Sequence, residues 1–162
     1  CSDFFWENDE EVKDICSAWI HDIIPEIKKV YHGRIIFKSA LNQGYDYSFI
    51  NVSNYDYLGV TIPMAPDEKA QKEQTNKILD AALNLTKGTD TIILVTEFGA
   101  WGEAINMPEE EKVKRETIIL EETKDKVGGI CIGEYFDRPR HSIKNTPQED
   151  LIRQYFTQII KK

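Results

Sequence analysis

The chain has 162 residues, 41% of them hydrophobic and 30% charged, which suits one globular domain. Its 28 acidic residues outnumber the 20 basic ones, for a formal net charge of -8. That balance disfavours binding to nucleic acid or to an anionic membrane surface, because both need a basic surface. No apolar run is long enough to cross a bilayer, so we expect no membrane span.

Helical and strand-like segments alternate along the chain. The first helix is predicted to begin at Asn8 or Asp9 and to end near His32, and Pro25 should kink or divide it. Further helices are predicted over Asp67–Lys87, Pro108–Lys126 and Pro147–Lys162. Short apolar strands are predicted over Arg34–Ala40, Tyr57–Pro63, Thr91–Thr96 and Ile130–Ile132, and a further one over Ser2–Trp6 would precede the first helix.

Strands that alternate with helices predict an α/β fold with a parallel sheet. An open doubly wound sheet and part of a (β/α)8 barrel both fit this order. The chain is too short for a complete barrel, which needs about 200 residues. No glycine-rich phosphate loop follows a strand, which argues against a nucleotide-binding open sheet. The run from Thr91 to Thr96 is apolar throughout, as in a strand that is covered on both faces.

Glu97 follows this apolar run directly, and Gly99 comes two residues later. Functional groups of parallel α/β folds cluster where strands reach their carboxyl ends. Glu97 is therefore a candidate catalytic carboxylate. The structural alternative is that it caps a helix or pairs with an arginine such as Arg34 or Arg138.

Other acidic residues are predicted at the same edge of the sheet. Glu134 and Asp137 follow the last strand, and either could raise the pKa of Glu97 as a nearby like charge, or pair with an arginine. Glu7 would end the strand Ser2–Trp6, or simply form the acidic start of the first helix. Two carboxylates on one rim are what glycoside hydrolysis requires.

Aromatic residues near the predicted strand ends could stack on sugar rings, although each alone is more often a packing residue. The predicted substrate-binding residues are Trp6, Tyr45, Tyr47, Trp101, Glu134 and Tyr135. The three histidines, His21, His32 and His141, do not form a spaced metal set. Cys16 and Cys131 lie in apolar stretches and are predicted to be buried free thiols.

Four segments resemble the second half of a (β/α)8-barrel glycoside hydrolase of the retaining clan A type, in particular β-mannanase-like endo-glycanases. Trp19–Ala40 resembles the fourth helix and fifth strand, Tyr55–Val60 the sixth strand, and Gly128–Asp137 the eighth. Ile93–Gly99 (ILVTEFG) resembles the seventh strand, which carries the nucleophile in that clan.

The resemblance implies that residues 1–162 form one half-barrel domain, part of a larger barrel chain. It implies that Glu97 is the nucleophile for hydrolysis of β-glycosidic bonds and that Glu7 matches the acid/base, although Trp6 stands where the clan has asparagine. It also implies a carbohydrate ligand, an oligo- or polysaccharide, and no cofactor. An extracellular or cell-surface location is favoured.

A half-barrel leaves sheet edges unpaired, so the missing half-barrel or a second copy would be expected to cover them. Two other functions fit the sequence. One is a non-catalytic carbohydrate-binding or scaffold module derived from a barrel, and the other is an open-sheet enzyme that binds a phosphorylated ligand.

Overall fold

The computed structural model describes residues 10–39, 41, 47–132 and 142–160. Within this part, the helices are α1 (Glu10–Val30), α2 (Glu68–Thr86), α3 (Glu109–Thr123) and α4 (Pro147–Ile160). The strands are β1 (Ile36–Lys38), β2 (Tyr57–Pro63), β3 (Ile92–Gly99) and β4 (Gly129–Ile130). The alternation of helix and strand confirms the predicted α/β class.

The four strands form one sheet in the order β1-β2-β3-β4, and every neighbouring pair is parallel. Helix α2 packs against α3, and α3 packs against α4. A doubly wound sheet reverses its strand order at a switch point, and the described strands show no such reversal. Sequential parallel strands alternating with helices are compatible with half of a barrel.

One face of the sheet is covered by helices and holds the core. The strand side chains on this face are almost fully buried, and they pack with apolar residues of α2, α3 and α4. These strand residues are Leu58, Val60, Ile62, Ile93, Val95 and Phe98. We call this the covered face. It forms because β2 and β3 supply an unbroken set of apolar side chains to the inner stripes of these helices.

The opposite face, which we call the open face, is partly exposed. It carries Ile36 and Ile92, which keep 42% and 41% of their surface exposed, and Lys38, whose register partner is Gly59. The apolar run of β3 predicted cover on both faces. That prediction is wrong for the described part of the chain, because Ile92 of β3 keeps 41% of its surface exposed on the open face.

Helix α2 shows how the sequence fixes an element of this layer. The carboxylate of Asp67 accepts a hydrogen bond from the backbone N–H of Ala70 at 2.8 Å and so caps the helix. Ile78 and Leu79 are buried on its inner side. The chain leaves the helix at Gly88, whose φ of +77° suits glycine.

Two local expectations concern Pro25 and the cysteines. Of the two effects expected of Pro25, division of the first helix does not occur, since α1 continues from Glu10 to Val30. The proline is exposed, so the backbone group that it leaves unpaired can meet water. Cys16 is buried as predicted, but Cys131 is exposed because β4 ends at Ile130 rather than Ile132.

Candidate active site

An irregularity in β3 decides which face Glu97 occupies. Val60 of β2 is in register with Val95, whereas the next residue, Thr61, is in register with Glu97, so Thr96 is an extra residue on β3. In a regular strand, Glu97 would share the covered face with Val95, since side chains alternate with a period of two. The β-bulge at Thr96 turns Glu97 to the open face and sends Phe98 into the core, where it is 2% exposed.

Glu97 is held by a lysine two strands away. The Lys38 ammonium donates a hydrogen bond to Oε2 of Glu97 at 2.7 Å. Both side chains reach solvent, with 54% of Lys38 and 32% of Glu97 exposed. A charge-assisted bond of this length orients the carboxylate, while its exposure keeps it within reach of a ligand.

Gly59 provides the space for this pairing. It lies on β2, in register with Lys38 on one side and Leu94 on the other. A Cβ atom at Gly59 would lie 2.8 Å from Cγ2 of Thr96 and 3.1 Å from Cδ1 of Ile36. The glycine therefore permits side chains of β1 and β3 to approach each other over β2.

The end of β2 and the loop after it are fixed by hydrogen bonds to two elements, β3 and α2. The backbone N–H of Met64 donates to the carbonyl of Gly99 at 2.9 Å. The side-chain amides of Gln71 and Gln74 both donate to the carbonyl of Pro63, at 3.2 and 2.9 Å. The loop after β2 is thus held in place by α2 and β3.

Two of the predicted substrate-binding residues, Trp101 and Tyr47, lie within the described part of the chain. Trp101 is half-buried and precedes a 3₁₀ helix, Gly102–Asn106, just beyond β3. Tyr47 is 4% exposed and packs edge-on against Phe37, with ring centroids 5.7 Å apart. Its ring lies in the core, where a ligand on the open face would not stack on it.

Five of the predicted site residues lie outside the described residues. They are Trp6, Glu7, Tyr45, Glu134 and Tyr135. The separation between Glu7 and Glu97 is therefore not part of the described geometry.

Sequence reasoning did not identify Lys38 or Gly59 as site residues. The strand pattern did contain a signal for Lys38. Side chains alternate along a strand, so Lys38 must lie on the same face as Ile36, two positions earlier. The bulge at Thr96 had no such signal, and without it Lys38 and Glu97 would be expected on opposite faces.

Within residues 10–39, 41, 47–132 and 142–160, no group of three or more His, Cys, Asp or Glu side chains could hold a metal ion. None of the described helices is long and apolar enough to cross a membrane.

Comparison with known proteins gives a likeness of fold. No protein-family model and no curated protein matches the chain. Among solved structures, a GH2 β-galacturonidase from Eisenbergiella tayi, bound to glycerol, matches 95% of this chain with a TM-score of 0.54 and 14% sequence identity. The chain spans 31% of that protein's length. At this identity the match shows a shared fold with part of a glycoside hydrolase.

Proposed function

We propose that this chain is part of a retaining glycoside hydrolase of the clan A barrel type, in which Glu97 is the nucleophile that cleaves β-glycosidic bonds. The observation that carries the proposal is the position of Glu97 on the open face, near the carboxyl ends of the strands. Catalytic groups of parallel barrels lie at that end. The likeness of fold to a glycoside hydrolase supports the same reaction class.

The proposed reaction has two displacement steps. First, a carboxylate oxygen of Glu97 bonds to the anomeric carbon while the bond to the leaving sugar oxygen breaks and that oxygen receives a proton from the acid/base. Water then gives a proton to the same acid/base, adds to the anomeric carbon and releases Glu97. The two inversions give net retention, and the reaction consumes one water molecule and no cofactor.

Lys38 is proposed to orient Glu97 through its bond to Oε2 and to favour the second step. The bond restricts the rotation of the carboxylate before it attacks the anomeric carbon. When the glycosyl ester forms, Glu97 loses its negative charge, so the lysine stands beside a neutral group. The ion pair is restored when the ester is hydrolysed, which favours release of the carboxylate in the second step.

The acid/base is proposed to be Glu7, with Trp6, Tyr45, Trp101, Glu134 and Tyr135 as sugar contacts. The retaining mechanism requires the two carboxyl groups to be about 5–5.5 Å apart. Tyr47 would act through packing, since its ring is buried.

A complete barrel would need further βα units over the open face. The exposed side chains of Ile36 and Ile92 and the short edge strands β1 and β4 support this expectation. The missing half-barrel or a second copy of the chain is the proposed source of these units.

The test is hydrolysis of a panel of β-linked glycans by the whole natural protein, of which this chain is proposed to be a part, and by its Glu97→Gln form. Loss of the nucleophile should lower kcat by at least about a thousandfold, because it acts only in the transition state. Glu103→Gln is the matched control, since Glu103 is exposed on the neighbouring 3₁₀ helix. Undiminished activity in Glu97→Gln, with the panel hydrolysed by the parent, would disprove the nucleophile assignment.

A second candidate, a non-catalytic carbohydrate-binding module, has one observation in its favour. Oε2 of Glu97 is already engaged by Lys38, as in a structural ion pair. Calorimetry with the same glycans separates the two. A binding module would bind the glycans and leave them unhydrolysed in both the parent and the Glu97→Gln form.

A further inference from the structure

A second carboxylate, Glu116 of α3, lies far from solvent at the contact between α3 and α4. It is 2% exposed. Its Oε1 accepts a short hydrogen bond from the side-chain amide of Gln148, in the first turn of α4. Its Oε2 has no hydrogen-bond partner among the described residues. A buried carboxyl that is only half satisfied is costly to ionise.

Among the described residues, no cation forms an ion pair with Glu116, although the charge of Lys112 lowers its pKa by a smaller amount than burial raises it. On its own helix, the nearby charges are Glu109 and Lys112, and the Lys112 ammonium bonds to Glu109 at 2.9 Å. On α4, the next carboxylate after Gln148 is Glu149, which accepts from Arg153 at 2.6 Å. These groups are engaged with each other rather than with Oε2 of Glu116.

The charges of α2 that face α3 are engaged elsewhere as well. Glu68 of α2 lies 3.9 Å from Arg115, and Lys72 bonds to Glu122 at 2.9 Å. Ionised Glu116 would therefore be a buried charge stabilised mainly by one neutral amide. Burial raises the pKa of Glu116 to about 7, and the hydrogen bond from Gln148 opposes that rise.

Beside this contact, a groove of about 270 Å³ that is open to solvent runs between the two helices; its lining residues are Thr117, Leu120, Glu121, Lys124, Leu151, Gln154, Tyr155 and Gln158. At the first turn of α4, the bond between Gln148 and Glu116 is a buried polar contact that joins α4 to α3.

We propose that the Glu116–Gln148 contact is a pH-sensitive latch, which holds the first turn of α4 against α3 in acidic solution and releases it as the pH approaches neutrality. The protonated carboxyl is neutral and fits the buried site. As the pH rises, the proton is lost to solvent, and the carboxylate gains hydration only when the two helices separate. The latch is independent of the function of Glu97.

The sign of the effect follows from linkage. Glu116 has its higher pKa in the attached state and an ordinary value near 4.5 when α4 is released. The attached state therefore binds more protons between these two values, so attachment weakens as the pH rises from about 4.5 to 7 and then levels off.

Hydrogen–deuterium exchange of the first half of α4, corrected for the intrinsic pH dependence of exchange, tests the latch. The opening equilibrium should increase on the order of fiftyfold from pH 5 to pH 8, as the two pKa values require. Glu116→Gln should remove this increase because it cannot ionise. Glu110→Gln, an exposed position on the same helix that does not line the groove between α3 and α4, should behave as the parent.

A second variant keeps the test decisive if Glu116→Gln does not fold. Gln148→Leu removes the bond that favours the carboxylate, so the midpoint of the transition should move to higher pH. An increase that persists in Glu116→Gln, or that is absent from the parent protein, would overturn the proposal. So would an unchanged midpoint in Gln148→Leu.

Discussion

The two faces of the sheet differ in what occupies them, although the same strands form both. The covered face is apolar from end to end, and Leu58, Val60 and Ile62 are fully buried there. The open face mixes exposed isoleucines with the Lys38–Glu97 ion pair. A fold can thus be held together on one face while the other carries polar groups at a cost in stability, as functional sites commonly do.

The largest expected difference between the faces is in their contribution to stability. Ile62→Ala on the covered face should lower the free energy of unfolding by about 2–5 kcal/mol, because it leaves a cavity. Ile92→Ala on the open face should cost less than about 1 kcal/mol, since the side chain is already 41% exposed. Urea unfolding of the two variants measures both. Equal losses would show that something covers the open face in solution.

A smaller effect is expected where β1, β2 and β3 crowd together at Gly59. Gly59→Ala should lower the free energy of unfolding by about 1–3 kcal/mol, because the new methyl group would approach Thr96 within 2.8 Å. Thr96→Ser removes Cγ2 of Thr96, the atom that the new methyl group would approach. The double variant should therefore recover part of the lost free energy of unfolding. Strictly additive losses would contradict the close approach of these two residues.

Much of the framework was predictable because strong local signals set it. β2 was predicted with its observed ends, Tyr57 and Pro63, and the helix predicted over Asp67–Lys87 forms as α2. Its cap, its inner apolar stripe and the glycine after it are all encoded within about twenty consecutive residues. Such signals do not depend on the rest of the chain.

The candidate site was less predictable because it depends on register between strands. Glu97 was predicted to end its strand, and it lies in β3 two residues before the end at Gly99. The extra residue at Thr96 becomes visible only when β3 is aligned with β2. The pairing of Lys38 with Glu97 needs that bulge, so the sequence pattern could not indicate it.

Glu116 illustrates a different limit. The predicted helix has a polar sequence, and a glutamate there is expected to face solvent. Instead Glu116, Arg115 and Lys112 are all less than a tenth exposed, because α2 and α4 enclose α3 from two sides. Burial of this kind follows from tertiary packing rather than from helical periodicity.

The most direct test of the nucleophile is covalent trapping. The native polypeptide would be incubated with activated 2-deoxy-2-fluoro-β-glycosides of glucose, mannose and galacturonic acid, which slow hydrolysis of the glycosyl ester more than its formation. Peptide mass spectrometry then locates the attached sugar. We expect it on Glu97, with the label absent from the Glu97→Gln form. A label on a different carboxylate, or no label from the sugar that the parent hydrolyses, would contradict the account.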